Sequence, residues 1–184
     1  MYLADNVLHG YLDAFHAQKN LADRAIAQIA DADLRRPLDE NTNSIAVIMK
    51  HVSGNLISRF TEFLTTDGEK PWRDRDAEFT DTFRDRSEII AYWEGGWNTL
   101  FDTFASLRPE HLDWQVFIRG DPFYVPGALA RSLAHTSYHC GQIVLTSRLM
   151  AKDKWEVITI PRGQSKKFNL QMGYGDSEGE SQQQ

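Results

Sequence analysis

The stretch "LARSLAHTSYHCGQI", residues 129–143, lies in the part of the sequence that decides the fold. Its apolar and small residues recur at spacings of three and four, which is the pattern of one face of an α-helix. The residues on this face are Leu129, Leu133, Thr136, Cys140 and Ile143. Pro126 suits the first turn of such a helix. The pattern predicts a long amphipathic helix over about residues 126–152.

Three earlier segments have the same periodicity. The first predicts a helix of about 25 residues that ends near Asp31. The second begins after Asn43 or Ser44, either of which can cap it, and carries its apolar stripe to Phe63. The third covers about residues 82–107, with Gly95 and Gly96 in its middle, where a close approach between helices is one explanation.

The connections between these helices also carry information. The loop "DGEKPWRDRDAEFTD" is long for a helix bundle, and such loops are often functional. Between the third and fourth helices, apolar and polar residues alternate up to Ile118 and a turn signal follows at Gly120, which predicts a small hairpin or an extended crossover. The sequence therefore predicts an all-α protein, a four-helix bundle with long crossover loops.

The composition limits the possible functions. The chain has 184 residues and a formal net charge of −6, which argues against nucleic acid as a partner because phosphate binding needs a basic face. We expect one bundle domain over residues 1–170 and a disordered polar tail over 171–184. No apolar run approaches the length of a membrane span, and the single cysteine cannot form an internal disulfide. These features predict a cytoplasmic protein with no membrane partner.

Polar side chains border the predicted core on two helices. A buried donor or acceptor without a partner is costly, so something must organise these groups. The second helix carries His51, Asn55 and Arg59 at this border, and the fourth carries Arg131, His135, His139 and Gln142.

A divalent metal is one solution. His135 and His139 are one helical turn apart and can bind one ion, and His51 from a facing helix completes a set of three. Neutral imidazole binds zinc, nickel, copper or iron, and three protein ligands leave positions open for water or substrate. The alternative is that these histidines lie at the surface or form ordinary hydrogen bonds, because HxxxH pairs also occur by chance.

Several neighbouring features are interpreted more simply. The lack of a glutamate in "HTSYH" argues against the HExxH protease class, and the lack of ExxH motifs argues against a ferritin-like di-iron site. His9, His16 and His111 have no predicted ligand role, and Cys140 is expected to pack as an inert apolar residue. The alternating charges of "RDRDAEF", residues 73–79, favour a solvated loop with local ion pairs.

Four stretches together resemble a known family. They are "HVSGNLISRF", "DGEKPWRDRDAEF", "HTSYHCGQIV" and "IPRGQSKKFN", and their order resembles the DUF1572 branch of the DinB/YfiT-like superfamily over roughly residues 5–170. The HxxxH pair alone is weak support, whereas the four stretches in this order are much more specific.

The resemblance implies a four-helix bundle of up-up-down-down connectivity, often dimeric, with three histidines around a divalent metal. On this sequence the implied ligands are His51, His135 and His139, and zinc or nickel is the expected ion. Characterised members of the superfamily are thiol S-transferases and a thiol-dependent isomerase, whereas the branch itself has no known function. The resemblance thus implies the metal more firmly than the reaction.

The predicted reaction is transfer of an electrophilic small molecule to a low-molecular-weight thiol, and the predicted partner is a second copy of the chain. Asn55 and Gln142 are candidates for orienting ligand groups, and Arg59, Arg131 or Arg162 for holding a substrate carboxylate. Two alternatives remain open. One is metal-dependent hydrolysis of an ester or amide. The other is a non-catalytic domain that dimerises or binds a metal, which the absence of an inward acidic residue beside the histidines favours.

Overall fold

The structure is a computed structural model and describes residues 2–174. Over this range the chain is mostly helical, which agrees with the predicted all-α class. The α-helices are α1 (Tyr2–Ile26), α2 (Asp31–Arg35), α3 (Ile45–Phe60), α4 (Arg86–Ser106), α5 (Val125–Ala151) and α6 (Ser165–Gln171). Two short strands, β1 (Gln115–Ile118) and β2 (Asp121–Tyr124), form an antiparallel pair. Most of the predicted polar tail, from residue 175 onward, lies outside the described residues.

Capping residues explain where the two central helices begin. The Ser44 hydroxyl accepts a hydrogen bond from the amide of Val47 at 3.3 Å, so Ser44 is the cap of α3. Asp85 caps α4 in the same way by accepting from the amide of Glu88 at 3.0 Å. Helix α3 ends at Phe60, earlier than its apolar stripe predicted, because the chain beyond it still buries Phe63 without helical backbone.

The four long helices pack against one another around an aromatic core. Helix α1 packs on α5, and α3 packs on both α4 and α5. Trp93 and Trp97 of α4 are fully buried in the centre. A Cβ atom at Gly96 would lie 2.6 Å from the Cα of Ser53, so this glycine permits the close approach of α4 to α3. The up-up-down-down bundle connectivity stays a prediction.

The segment before α5 is the predicted small hairpin. Ile118 pairs with Asp121, and the two loop residues, Arg119 and Gly120, have φ values of 57° and 79°. Two positive φ values in a two-residue loop match the twist of paired strands. Asp67 fixes the turn, because its carboxylate accepts hydrogen bonds from the amides of Arg119 at 2.8 Å and Gly120 at 2.7 Å.

The prediction of a solvated loop with local ion pairs for residues 73–79 was only partly right: residues 74–77 are exposed and a local ion pair is present, but the side chains of Arg73 and Glu78 are buried. A short 3-10 helix, Asp76–Phe79, packs directly on α3. The side chains of Arg73 and Glu78 are only 3% and 6% exposed, and they form an ion pair at 2.7 Å. The alternating charges gave no sign of this burial, because it depends on the pairing of Arg73 with Glu78 inside the fold.

No described helix combines the length and the apolarity that crossing a bilayer requires.

Candidate metal centre

Three histidines from two helices meet at the edge of the core. His51 lies on α3, and His135 and His139 lie on α5. One ligand atom from each ring lies within 4.8 Å of the others. The Nε2 atoms of His51 and His135 are 3.1 Å apart. Two imidazoles that share a tetrahedral ion at 2.0–2.1 Å hold their nitrogens ~3.3 Å apart, so this pair has the spacing of ligands to one ion.

The proton on His51 is fixed by an acidic residue. Its Nδ1 lies 2.9 Å from Oε2 of Glu78. An ionised carboxylate only accepts hydrogen bonds, so Nδ1 carries a proton, and in a neutral ring Nε2 then presents its lone pair toward the cluster. A carboxylate behind a ligating histidine is a common feature of metal sites, where it orients the ring and raises its basicity.

Glu78 is held in its ionised form by Arg73. The Arg73 guanidinium donates to Oε1 at 2.7 Å and to Oε2 at 2.9 Å. Burial alone would raise the pKa of Glu78, but the hydrogen bonds from His51 and Arg73 outweigh it and bring the pKa below its usual value. Since both oxygens are occupied, Glu78 positions His51 and is not a free base.

The proton on His139 is fixed in the same manner. Its Nδ1 donates to the side-chain oxygen of Gln142 at 2.8 Å, which leaves Nε2 as a lone pair. Burial lowers the pKa of His139, against the opposing effect of that hydrogen bond. Burial, followed by the charges of His139 and His51, lowers the pKa of His135 to about 3. His135 is therefore a neutral imidazole, the form that binds metals.

The hydrogen-bond inventory fits a metal better than a metal-free cluster. Nε2 of His51 and Nε2 of His139 are both acceptors, and a neutral His135 has only one N–H to offer them. Nδ1 of His135 is buried without a partner whichever nitrogen of the ring carries the proton, so this atom does not distinguish the two cases. An ion shared by the three rings accepts every lone pair and leaves His135 protonated at Nδ1. An all-imidazole donor set suits zinc, nickel, copper or iron and does not suit magnesium or calcium.

Gly54 makes room for the Glu78 carboxylate. A Cβ atom at this position would lie 2.8 Å from the Cδ of Glu78, closer than atoms can pack. Gly54 follows His51 by three residues, on the same side of α3. Sequence patterns did not indicate the contacts that Glu78 and Arg73 make at this site. The one local feature that could have indicated a close side chain beside His51 is Gly54, a glycine within an otherwise regular helix.

A cavity of about 380 Å³ opens next to the cluster, and His51 and His135 form part of its wall. Of the other residues singled out in the sequence, Asn55, Arg59 and Arg131 also line this cavity. Gln142 instead contacts His139, and Arg162 is exposed and does not belong to the cavity wall.

Cys140 contributes no nucleophile to the site. Its side chain is buried at 1% exposure, and burial raises the pKa of the thiol to about 12. A thiol in this state is unreactive near neutral pH. Of the remaining histidines, His9 and His16 are exposed, and His111 is buried with its Nδ1 accepting from the amide of Arg108.

Fold and site define a mostly helical protein whose three clustered histidines are compatible with a divalent metal. The family model described as a protein of unknown function, DUF1572, matches residues 3–164. The chain therefore belongs to the DUF1572 family. Comparison with curated proteins and with solved structures gave no significant match.

Proposed function

We propose that this chain is a metal-dependent enzyme of the DinB-like superfamily, with its four long helices arranged as an up-up-down-down bundle. His51, His135 and His139 hold zinc or nickel. The reaction is transfer of an electrophilic small molecule to a low-molecular-weight thiol. The observation that carries the proposal is that the three histidines bring one ligand atom each within 4.8 Å of the others, and that two of them, His51 and His135, line a cavity of about 380 Å³. By analogy with the superfamily, the protein works as a homodimer in the cytoplasm.

A divalent ion lowers the pKa of a thiol that coordinates it and thereby supplies a thiolate nucleophile. In the overall reaction the thiol proton goes to solvent and the sulfur forms a new bond to carbon. The leaving group departs with the electron pair of the bond that breaks. The protein itself needs no general base, which agrees with the full occupation of both Glu78 oxygens by His51 and Arg73.

The chain's own residues orient the ligands and the substrate. Glu78 and Gln142 each fix one ring, so that the Nε2 atoms of His51 and His139 point into the cluster. Asn55 lies one turn beyond His51 on the cavity wall, where its amide can bind a polar group of the thiol or of the substrate. Cys140 is too buried to replace an external thiol.

Two other functions use the same geometry. In a hydrolase, water takes the place of the thiol and an ester or amide is cleaved. In a non-catalytic protein, the bundle binds a metal and dimerises. The second was favoured by the expected absence of an inward acidic residue that could act as a base. An inward acid is present, because Glu78 contacts His51 at 2.9 Å, but both of its oxygens are already occupied by His51 and Arg73.

The metal is tested by elemental analysis of protein purified without an affinity tag. We expect close to one zinc or nickel per chain in the wild type and a large loss in His135→Ala. His9→Ala is the matched control, because His9 is exposed and outside the cluster. Equal, near-zero metal content in all three proteins would refute the proposal.

The reaction is tested by incubating the metal-loaded protein with a panel of low-molecular-weight thiols and a chromogenic electrophile. Loss of free thiol with the wild type and the His9→Ala control, and no loss above background with His135→Ala, supports transfer. Release of product without thiol consumption supports hydrolysis. A stoichiometric metal with neither activity supports the non-catalytic function.

A further inference from the structure

The cavity beside the histidine cluster is strongly basic in a chain that is acidic overall. Five guanidinium groups line it, and no aspartate or glutamate does. These groups belong to Arg59, Arg73, Arg75, Arg119 and Arg131. With a net charge of −6, the protein has no general excess of basic residues that would place five of them here by chance.

Nearby carboxylates neutralise only part of this charge. Glu69 is shared, with its Oε2 at 3.1 Å from Arg59, 3.1 Å from Arg119 and 3.7 Å from Arg73. Glu78 pairs with Arg73 alone among the arginines. Within residues 2–174, Arg75 and Arg131 form no ion pair. Asp67 also lies near this charge, since it accepts from the amide of Arg119 and the charge of Arg59 helps to lower its pKa. Five positive charges therefore lie near three carboxylates, those of Glu69, Glu78 and Asp67.

Arg59 is the centre of this charge. It follows His51 by two helical turns on α3, and its side chain is 10% exposed. Its Nη2 donates to Glu69, but its Nη1 is buried without any hydrogen-bond partner. Burial lowers the pKa of Arg59, and the charges of Arg73 and Arg119 act in the same direction against the opposing effect of Glu69. A buried N–H of a charged group without an acceptor is costly, and an oxyanion would supply the acceptor.

Apart from His51, His135, Asn55 and Ser132, the rest of the cavity wall is apolar. It is formed by side chains of α3, the turn after it, the hairpin and the start of α5, among them Phe60, Phe63, Val116, Phe117, Ile118 and Ala128. A volume of about 380 Å³ is in the range of small-molecule sites. The occupant that this wall fits has an anionic end and a compact apolar body.

We propose that the cavity binds a small organic carboxylate with an apolar body, whose oxyanion lies on Arg59 and whose other end approaches His51 and His135. Arg119 and Arg131 at the exposed rim attract the anion, and Arg59 fixes its position. The identity of this ligand as the substrate rests on the proposed function, whereas its binding does not, because the arginines hold the anion without the ion.

The experiment is calorimetric titration of the wild type with benzoate, phenylacetate and 4-phenylbutyrate, each paired with its neutral amide. Every titration is done with metal-loaded protein and with chelator-treated protein. We expect at least one carboxylate to bind at least tenfold more tightly than its amide in both preparations. Arg59→Gln should weaken that binding at least tenfold, whereas Arg148→Gln, an exposed arginine outside the cavity, should leave it unchanged.

Two further variants keep the test valid if Arg59→Gln fails to fold. Arg119→Gln and Arg131→Gln alter exposed rim residues and should each weaken carboxylate binding about threefold to tenfold. Equal affinity for acids and amides, no binding by any acid, or equal affinity of the cavity variants and Arg148→Gln would overturn the inference. Carboxylate binding by a protein that holds no stoichiometric metal either as purified or after metal is added would uphold this inference while refuting the proposed function. A stoichiometric metal without carboxylate binding would do the reverse.

Discussion

Replacing Glu78 by glutamine tests the most specific feature of the candidate metal centre. The substitution keeps the size of the side chain and exchanges one oxygen for an NH2 group. Oε2 accepts from His51 at 2.9 Å and from Arg73 at 2.9 Å, while Oε1 accepts from Arg73 at 2.7 Å. Either orientation of the amide places its two donors against at least one N–H donor. If the NH2 group faces His51, Nδ1 must become the acceptor and the proton moves to Nε2, which can then no longer bind a metal.

The magnitude follows from these contacts. Loss of the carboxylate behind a ligating histidine lowers metal affinity about 10- to 100-fold, which is about 1.4–2.7 kcal/mol. Arg73, whose side chain is 3% exposed, also loses its closest charged partner and keeps only Glu69 at 3.7 Å, so the metal-free protein should lose about 3 kcal/mol of stability, or about 6–12 °C in Tm. The two effects are separable because one is measured as a metal affinity and the other as a melting temperature without metal.

The assay is a competition titration of zinc or nickel against a chromophoric chelator at neutral pH. Glu69→Gln is the matched control, since Glu69 contacts the same Arg73 but no histidine. We expect Glu69→Gln to bind metal within about threefold of the wild type. The reasoning is refuted if Glu78→Gln keeps wild-type metal affinity while His135→Ala loses it, or if the two glutamate variants weaken metal binding equally.

Three other predictions address the scaffold. Gly96→Ala should lower the free energy of unfolding by about 1–3 kcal/mol, because its Cβ would lie 2.6 Å from the Cα of Ser53. Gly95→Ala has open space around it and should raise the free energy of unfolding by up to ~1 kcal/mol. Thermal melts of both variants test this. Asp67 is only slightly buried, which alone raises its pKa, but three backbone amides that donate to it bring the pKa below its ordinary value. The ionised Asp67 therefore stabilises the fold above pH ~4, and this contribution is lost as the pH falls through its folded-state pKa. In urea titrations, Asp67→Ala should be less stable than the wild type at pH 7. Between pH 5 and pH 2, the variant should lose less stability than the wild type does. The Cys140 thiol should resist aromatic disulfide reagents in the native protein and react at once in denaturant. Cys140→Ala should retain any transfer activity. Fast reaction of the native thiol would contradict its burial.

The sequence was informative wherever a local pattern determined the structure. Helical periodicity predicted the four long helices, and a cap such as Ser44 predicted where α3 begins. The i, i+4 spacing placed His135 and His139 on one face because this depends only on helix geometry. His51 could be added because it borders the stripe of a second amphipathic helix.

The sequence was uninformative where burial depends on tertiary contacts. Glu78 follows His51 by 27 residues and lies in a segment of alternating charge, so its side chain had no local reason to be inside. The same holds for Arg73, whose buried charge is compensated by Glu78 and, at 3.7 Å, by Glu69. Helix ends were misplaced for a related reason, since Phe63 continues the apolar stripe of α3 after the helical backbone has ended at Phe60.

The buried arginine links the two parts of the site. Arg73 forms two hydrogen bonds to Glu78, which orients His51, and lies 3.7 Å from Glu69, which holds Arg59. The histidine cluster and the anion cavity therefore share one electrostatic network. A carboxylate on Arg59 would take over part of the role of Glu69 and leave Glu69 freer to pair with Arg73. For this reason Arg73 itself is a poor target for mutation, because its loss would disturb the metal ligands and the anion site together. Substitutions at the two glutamates separate them.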